Sequence, residues 1–299
     1  MKIRKAVITS AGFGTRFLPV TKTIQKEMLP VLNRPLIDYV VEDCVKAGIE
    51  EIIFVVSEHN TQLRHFYSEN NRLHDYLKKM NKAHLYPAVE RLHTKAHFSF
   101  VIQKDDDQYG TATPVKLAKE HVKDEDAFIV FMGDDFVYNP DGSSEASRMI
   151  EVFSQSAAVG LATCIEKPTE VLHKYGIAEV STRGNYTFLK NLIEKPAPGT
   201  APSNLANISK YIFTPEIFDI IENQAPNQPS GELFITDSIM QLAHNRDVVI
   251  HTPHGEYLDG GYLIGWLKAN LLVAQNTPEI QDELKLLLAE LGYTPNHQR

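Results

Sequence analysis

Four short, mainly apolar runs punctuate the first 133 positions: AVITS (6–10), EIIFVVS (51–57), FSFVIQ (98–103) and AFIVFMG (127–133). Runs of that length suit strands covered on both faces, the situation of a parallel sheet packed between helices. The segments between them supply those helices. In RPLIDYVVEDCVKAGI, Pro35 suits the first helical position, apolar residues recur at 36, 37, 40, 41 and 45, and Gly48 suits the stop. A second helix, from about Pro114 to Glu120, separates the third and fourth runs. The rhythm predicts an α/β chain of the Rossmann-like, doubly wound kind.

The second half is more mixed. AAVGLATCI, YGIAEV, FLKNLIEK and LANISKYIFT read as strands, TPEIFDIIENQ and FITDSIMQLAHN as helices. No Gly/Ser/Pro-rich linker or charged tract separates the halves, so the later strands are expected to extend the first sheet. Residues 1–261 are thus read as one ligand-binding α/β domain, with 58–97 as an inserted polar helical lobe. Residues 262–299 are read as closing helices; the last begins at Thr277–Pro278, ends at Gly292 and has apolar positions 280, 284, 287, 288 and 291. That stripe suits packing on the body or on a second copy.

At 299 residues and 43% hydrophobic, the chain has material for a sizeable core. A net charge of −8 argues against a general nucleic-acid binder and requires any phosphate ligand to meet a local cluster of cations. Cys44 and Cys164 give no disulfide framework and are expected to be small buried residues in a reducing compartment. No segment has signal-peptide or membrane-spanning character, and a soluble cytoplasmic protein is expected. Six of the twelve histidines fall in 58–97, but only His93 and His97 are spaced i,i+4 and nothing completes a zinc set, so solvated histidines are expected.

The chemistry is expected to begin at SAGFGTRFLP (10–19). A Walker A loop would end in Gly-Lys-Ser/Thr, which is absent here. A dinucleotide loop would need a third glycine where Phe17 stands and a helix that Pro19 would interrupt. The stretch from Gly12 to about Pro30 therefore reads as a long loop across the strand ends. Its glycines let backbone N–H groups approach phosphate oxygens, and Arg16, Lys22 and Lys26 add charge. A solvated turn with basic side chains is the plainer alternative.

Opposite it, FIVFMGDDF ends a strand with Gly133, Asp134 and Asp135. Ligands of open parallel sheets gather at the carboxyl ends of strands. A carboxylate there, facing a phosphate loop, suits a Mg²⁺ ion, and Asp259 after GEYL can supply a second oxygen. NLIEKP places Glu194 beside Lys195, suited to sugar hydroxyls and a phosphate respectively, or simply a surface ion pair.

AGFGTRFLPVTKTIQKEMLPV, MGDD, KYGI, IEKP, APSNLANISKYIFTPEIF, GELFITDSI and GWLKAN, in that order, closely resemble the bacterial UTP–glucose-1-phosphate uridylyltransferases, a branch of the sugar-1-phosphate nucleotidyltransferases. The likeness runs from about Ile3 to Val273; K-E-M-L-P and A-P-S-N-L-A are specific to that branch. The resemblance implies one α/β domain with a mostly parallel mixed sheet, Mg²⁺ as cofactor, and a homo-oligomer. It implies UTP and glucose 1-phosphate as substrates, UDP-glucose and pyrophosphate as products, and direct in-line nucleotidyl transfer. It also implies residue roles. The backbone of Ala11 and Gly12 lies against the nucleotide, Gly14 and Thr15 lie near its phosphates, and Arg16 and Lys26 neutralise the triphosphate. Gln103 reads the uracil edge and Gly110 admits the base to the backbone. Asp134 and Asp259 hold the metal, Gly176 and Glu194 bind glucose hydroxyls, and Lys195 grips the sugar phosphate.

The chain departs from the family pattern in three places. QYGTATP (108–114) stands where Gly-Leu-Gly-His-Ala is usual, preceded by Asp105-Asp106-Asp107; Leu263 replaces a lysine; and Gln25 replaces a proline. Gly-Thr-Ala is nearer to relatives that use other sugars, which leaves dTTP, galactose phosphate or N-acetylglucosamine phosphate as alternative substrates. A non-catalytic nucleotide-sugar-binding protein and a dinucleotide oxidoreductase are the alternatives of other classes. The acidic triplet beside a triphosphate is unfavourable unless it turns away or meets a cation.

Overall fold

The computed structural model describes residues 2–228 and 230–293; the end of the C-terminal segment, 294–299, lies outside the described residues. In chain order the strands are β1 (Lys5–Ser10), β2 (Pro30–Val31), β3 (Arg34–Pro35), β4 (Glu51–Ser57), β5 (His97–Gln103), β6 (Phe128–Met132), β7 (Asp135–Tyr138), β8 (Gly160–Glu166), β9 (Gly176–Arg183), β10 (Tyr186–Glu194), β11 (Leu205–Phe213), β12 (Val248–His251) and β13 (Glu256–Asp259). Nine form one mixed sheet in the order β5-β4-β1-β6-β11-β8-β12-β10-β9. The first-half strands β5, β4, β1 and β6 are mutually parallel, as the unbroken apolar runs predict. The later strands extend the same sheet. There β8 and β12 are parallel, whereas β11 runs antiparallel to β6 and β8, and β10 antiparallel to β12 and β9.

Side-chain alternation explains the apolar runs. On β1, β4 and β6, Ile8, Phe54 and Ile129 point into one core and Val7, Ile53, Val55 and Val130 into the other. The first core is covered by helices Leu36–Lys46, Glu145–Ser156 and Leu263–Gln275, the second by Thr113–Leu117, Glu216–Asn223 and Ile235–Asn245. Cys44 and Cys164 are free and fully buried, one in each core.

Most helices fall where periodicity puts them. Pro35 precedes the helix Leu36–Lys46 as its cap and is not its first turn. The helix expected over 114–120 is divided at Ala118 into Thr113–Leu117 and Lys119–Val122. The last helix starts at Gln281, because Ile280 N–H donates to Thr277 O in a tight turn that delays it. It buries no side chain fully; Leu286, Leu287 and Leu291 are exposed. Three helices and a 3₁₀ turn occupy 62–94, and His97 begins β5 rather than sitting on a helix.

Parallel registry fixes the site. Thr9 pairs with Met132, Ser10 with Val56 and Ser57 with Gln103, so the carboxyl ends of β1, β4, β5 and β6 share one edge. Beyond β6 the chain pairs at once as β7 with β13, a short ribbon in which Asp135 lies opposite Asp259. No described helix is long and apolar enough to cross a membrane.

Phe54, fully buried, stacks on Tyr67, Phe98 and Phe100 and ties the sheet to the 62–94 helices. Phe54→Ala is expected to cost about 3–5 kcal/mol in urea unfolding. A loss below about 1 kcal/mol would show that this cluster is not part of the cooperative core.

Candidate active site

The segment after β1 forms no continuous helix. It turns through three 3₁₀ pieces, Thr15–Phe17, Val20–Lys22 and Lys26–Met28, as the missing third glycine and Pro19 require. Gly14 has φ +66°, a left-handed conformation that glycine adopts freely, and a Cβ there would come within 3.1 Å of both Lys26 and Thr21 side chains. Thr21 Oγ1 donates to Gly14 O at 2.8 Å and ties the loop to itself. The loop folds back so that Lys26 lies against Gly12, with Nζ 3.5 Å from where a Cβ would stand.

A cleft of about 540 Å³ opens along the strand ends. It is lined by Ala11, Gly12, Gly14, Thr15, Arg16, Lys26, Gln103, Gly110, Asp134 and Lys195 together. The cations of the glycine loop and the carboxylate after β6 therefore share one crevice. Lys22 does not join them: it closes the outer turn Val20–Lys22 and is exposed.

Lys26 Nζ stands 2.5 Å from Asp134 Oδ2 and 3.8 Å from Glu27 Oε1. Burial pulls the ammonium down, but these carboxylates outweigh it and hold Lys26 protonated well above its ordinary range. Burial pushes Asp134 up; the Lys26 contact more than offsets it, leaving the carboxylate ionised below its ordinary range. Asp259 does not line the main cleft volume, but it meets Asp134 at Gly261. A Cβ on Gly261 would lie 2.7 Å from Asp134 Oδ2 and 3.0 Å from Asp259 Oδ1, and Gly261 N–H donates to Asp259 Oδ1 at 2.9 Å. Burial raises the Asp259 carboxyl, partly countered by that N–H. Two carboxylates bracketing one glycine beside the glycine loop form a hard-oxygen donor pair, which fits Mg²⁺.

At the other end, Glu194 pairs with Gly176 across β10 and β9, and a Cβ on Gly176 would sit 3.1 Å from Glu194 Oε2. Both stand just outside the cleft volume, beside Lys195, whose Nζ is 3.4 Å from Glu194 Oε1. Lys195 has φ +45°, a strained conformation for a non-glycine residue, and its ammonium lies 5.4 Å from the Phe234 ring. Gln103 ends β5 with a buried Oε1 that has no hydrogen-bond partner among the described residues.

Gly110 is needed for a reason the sequence does not show. Its φ is +141°, and the backbone of Leu233 lies 2.3 Å from where a Cβ would be. Leu233 N–H donates to Tyr109 O and Ala112 N–H to Leu233 O, both at 2.9 Å. Gly110 thus lets the 108–112 strap seat on another backbone at the cleft wall. Of the acidic triplet, Asp105 and Asp107 do line the cleft. Asp107 Oδ2 accepts from its own turn's Lys104 N–H at 2.7 Å, and Asp105 lies with Glu58 and His59 in an exposed group.

Sequence reasoning missed Glu27, although it belongs to the K-E-M-L-P motif. Its side chain is buried beneath the loop, and neither its Oε1 nor the nearby Ser10 Oγ has a partner among the described hydrogen bonds. Reasoning from sequence also missed Lys210, the one charged residue of β11. A charge within a mainly apolar strand was the available signal.

The Nucleotidyl transferase family matches residues 5–276, and the chain belongs to that family. Among curated relatives, the UTP–glucose-1-phosphate uridylyltransferase of Staphylococcus epidermidis is 34% identical over 97% of this chain and 99% of its own length. The enzyme of that description from Bacillus subtilis is 35% identical over 95% of each. In three dimensions the chain is similar to a UTP-bound UGPase from Acinetobacter baumannii, with TM-score 0.87 and 33% identity over 97% of this chain and 100% of that one. A UDP-glucose pyrophosphorylase complexed with UDP-glucose gives TM-score 0.81 and 29% identity over 92% of this chain and 100% of that one.

Burial raises the Glu27 carboxyl from 4.5 to about 7, with Lys26 opposing. The folded state therefore favours the protonated form. Between about pH 4.5 and 7 the unfolded chain releases its proton first, so stability falls as pH rises, by about 3 kcal/mol from this group. Glu27→Gln is expected to remove that slope. Urea unfolding at about pH 4 and about pH 8 should show the variant gaining on the wild type as pH rises; a constant difference would contradict the assignment.

Proposed function

We propose that this chain transfers the uridylyl group of UTP to glucose 1-phosphate, giving UDP-glucose and pyrophosphate. The observation that carries the reading is the shared cleft, where Arg16 and Lys26 of the glycine loop and Asp134 after β6 face one volume. The long full-length matches to uridylyltransferases set the substrates.

A phosphate oxygen of glucose 1-phosphate attacks the α-phosphorus of UTP in line, a new P–O bond forms, and the bond to the β-phosphate oxygen breaks. The attacking oxygen is already anionic near neutrality, so the reaction needs no general base. The obstacle is repulsion between two polyanions, and the protein's task is to position them and neutralise charge. Ala11, Gly12, Gly14 and Thr15 bring backbone to the nucleotide. Arg16 and Lys26 draw charge from the triphosphate and the departing pyrophosphate. Gln103 offers its unpaired amide to the uracil edge. Gly176 and Glu194 receive the glucose hydroxyls, and Lys195 holds the attacking phosphate. Asp134 and Asp259 would hold Mg²⁺, which supplies charge neutralisation at the phosphates.

A cytoplasmic location suits substrates whose charge confines them within a cell. Assembly with further copies is supported by the C-terminal helices, which leave Leu263, Leu267, Leu286 and Leu291 exposed.

Asp134→Asn is expected to lower Mg²⁺-dependent turnover by about 10²–10³-fold or more. Lys195→Ala is expected to raise KM for glucose 1-phosphate while sparing UTP binding. Pyrophosphate release, measured across UTP and dTTP against glucose, galactose and N-acetylglucosamine 1-phosphates, tests the assignment. A preference for dTTP, or near-wild-type turnover by Asp134→Asn, would overturn it.

A further inference from the structure

Asp134 and Asp259 come from distant parts of the chain, and something must hold two mutually repelling carboxylates at one glycine. Their frame is the ribbon of β7 and β13, where Asp135 lies opposite Asp259. Each strand has only four residues, and a two-stranded ribbon so short does not hold itself.

What underpins it is a buried cluster at Asp135. Lys210, only 2% exposed, reaches from β11 and donates to Asp135 O at 3.1 Å and to Asp135 Oδ1 at 2.5 Å. Tyr257 of β13 donates its hydroxyl to Asp135 Oδ2 at 3.1 Å. Both carboxylate oxygens of Asp135 are thus engaged, one from each neighbouring element. Lys210 Nζ also lies 4.7 Å from the centre of the Phe131 ring. The backbone of β11 is irregular beside this contact. Its register shifts between Asn207 and Tyr211, Ser209 has φ +56°, and Asn207 Nδ2 donates to Tyr211 Oη at 2.6 Å across the bulge. Bulges re-aim side chains next to functional sites. Replacing Lys210 alone would strand the buried Asp135 carboxylate, but an apolar pair in place of both would avoid the desolvation of two ions, so stability alone gives little reason for the pair.

We propose that Lys210, Asp135 and Tyr257 form a positioning network that sets the spacing of Asp134 and Asp259, and thereby the affinity of that pair for a divalent cation. The inference rests on the reading of Asp134 and Asp259 as the metal carboxylates. None of the three residues lines the cleft; they act through the ribbon.

The test is direct binding of Mn²⁺ alone, followed by the EPR signal of the free ion, with the fold checked by circular dichroism. Tyr257→Phe and Lys210→Met are expected to raise the Kd for Mn²⁺ about tenfold, the low end of what outer partners of metal ligands contribute. Lys210→Arg should restore most of the affinity, and UTP binding in EDTA should not change. In turnover, Tyr257→Phe should need more Mg²⁺ for half-maximal rate yet approach the wild-type kcat at saturation. A folded Tyr257→Phe that binds Mn²⁺ as tightly as the wild type would overturn the inference. If Lys210→Met does not fold, Tyr257→Phe decides alone, since it deletes only a hydroxyl. Asp259→Asn separates the two levels. If it weakens Mn²⁺ binding while Tyr257→Phe does not, only the network is wrong; if Asp259→Asn also binds normally, the metal reading has failed.

Discussion

Parallel pairing of β1 with β6 is the constraint on which the rest of the site depends. Thr9 lies beside Met132, and Gly133 N–H donates to Thr9 O at 3.0 Å. Two segments far apart in sequence, the glycine loop and the Gly-Asp-Asp turn, therefore leave the sheet side by side at the same edge. Backbone hydrogen bonds set that adjacency, and the two-sided core beneath keeps its register, because a one-residue slip would exchange the cores' side chains.

Charge then organises what the backbone has placed. The protein is acidic overall, and the crevice sets Arg16, Lys26 and Lys195 among the carboxylates of Asp105, Asp107 and Asp134. Burial makes unpaired charge costly, and the half-buried Lys26 is matched by Asp134 and the buried Lys210 by Asp135. This arrangement suits a reaction between two polyanions, in which catalysis consists of bringing like charges together. Glycine works by absence in the same region. At Gly261 a methyl group would press on both carboxylates, and at Gly110 it would strike the backbone of Leu233.

Much of this was legible in the sequence. The unbroken apolar runs identified strands covered on both faces, and Phe17 and Pro19 excluded a helix at the loop. The basic residues after Gly14 pointed to phosphate, although Lys22 faces solvent because the loop winds in separate turns rather than along one face. The reversed strand β11 was not legible: a strand's apolar pattern is the same in either direction. The depth of Glu27 and Lys210 was hidden as well, since a charged letter in a sequence is read as exposed until the fold encloses it.

The sequence by itself determined the α/β class, the family, the loop's conformational limits and the residue types available for chemistry. Each follows from local periodicity, backbone sterics or an uninterrupted motif. Only the tertiary structure decided which of those residues meet. The pairing of Asp259 with Asp134 across Gly261, the seating of the Gly110 strap on Leu233 and the lysine beneath Asp135 all join segments remote in the chain. Contacts of that kind are set by sheet order and bulges, which no local pattern specifies.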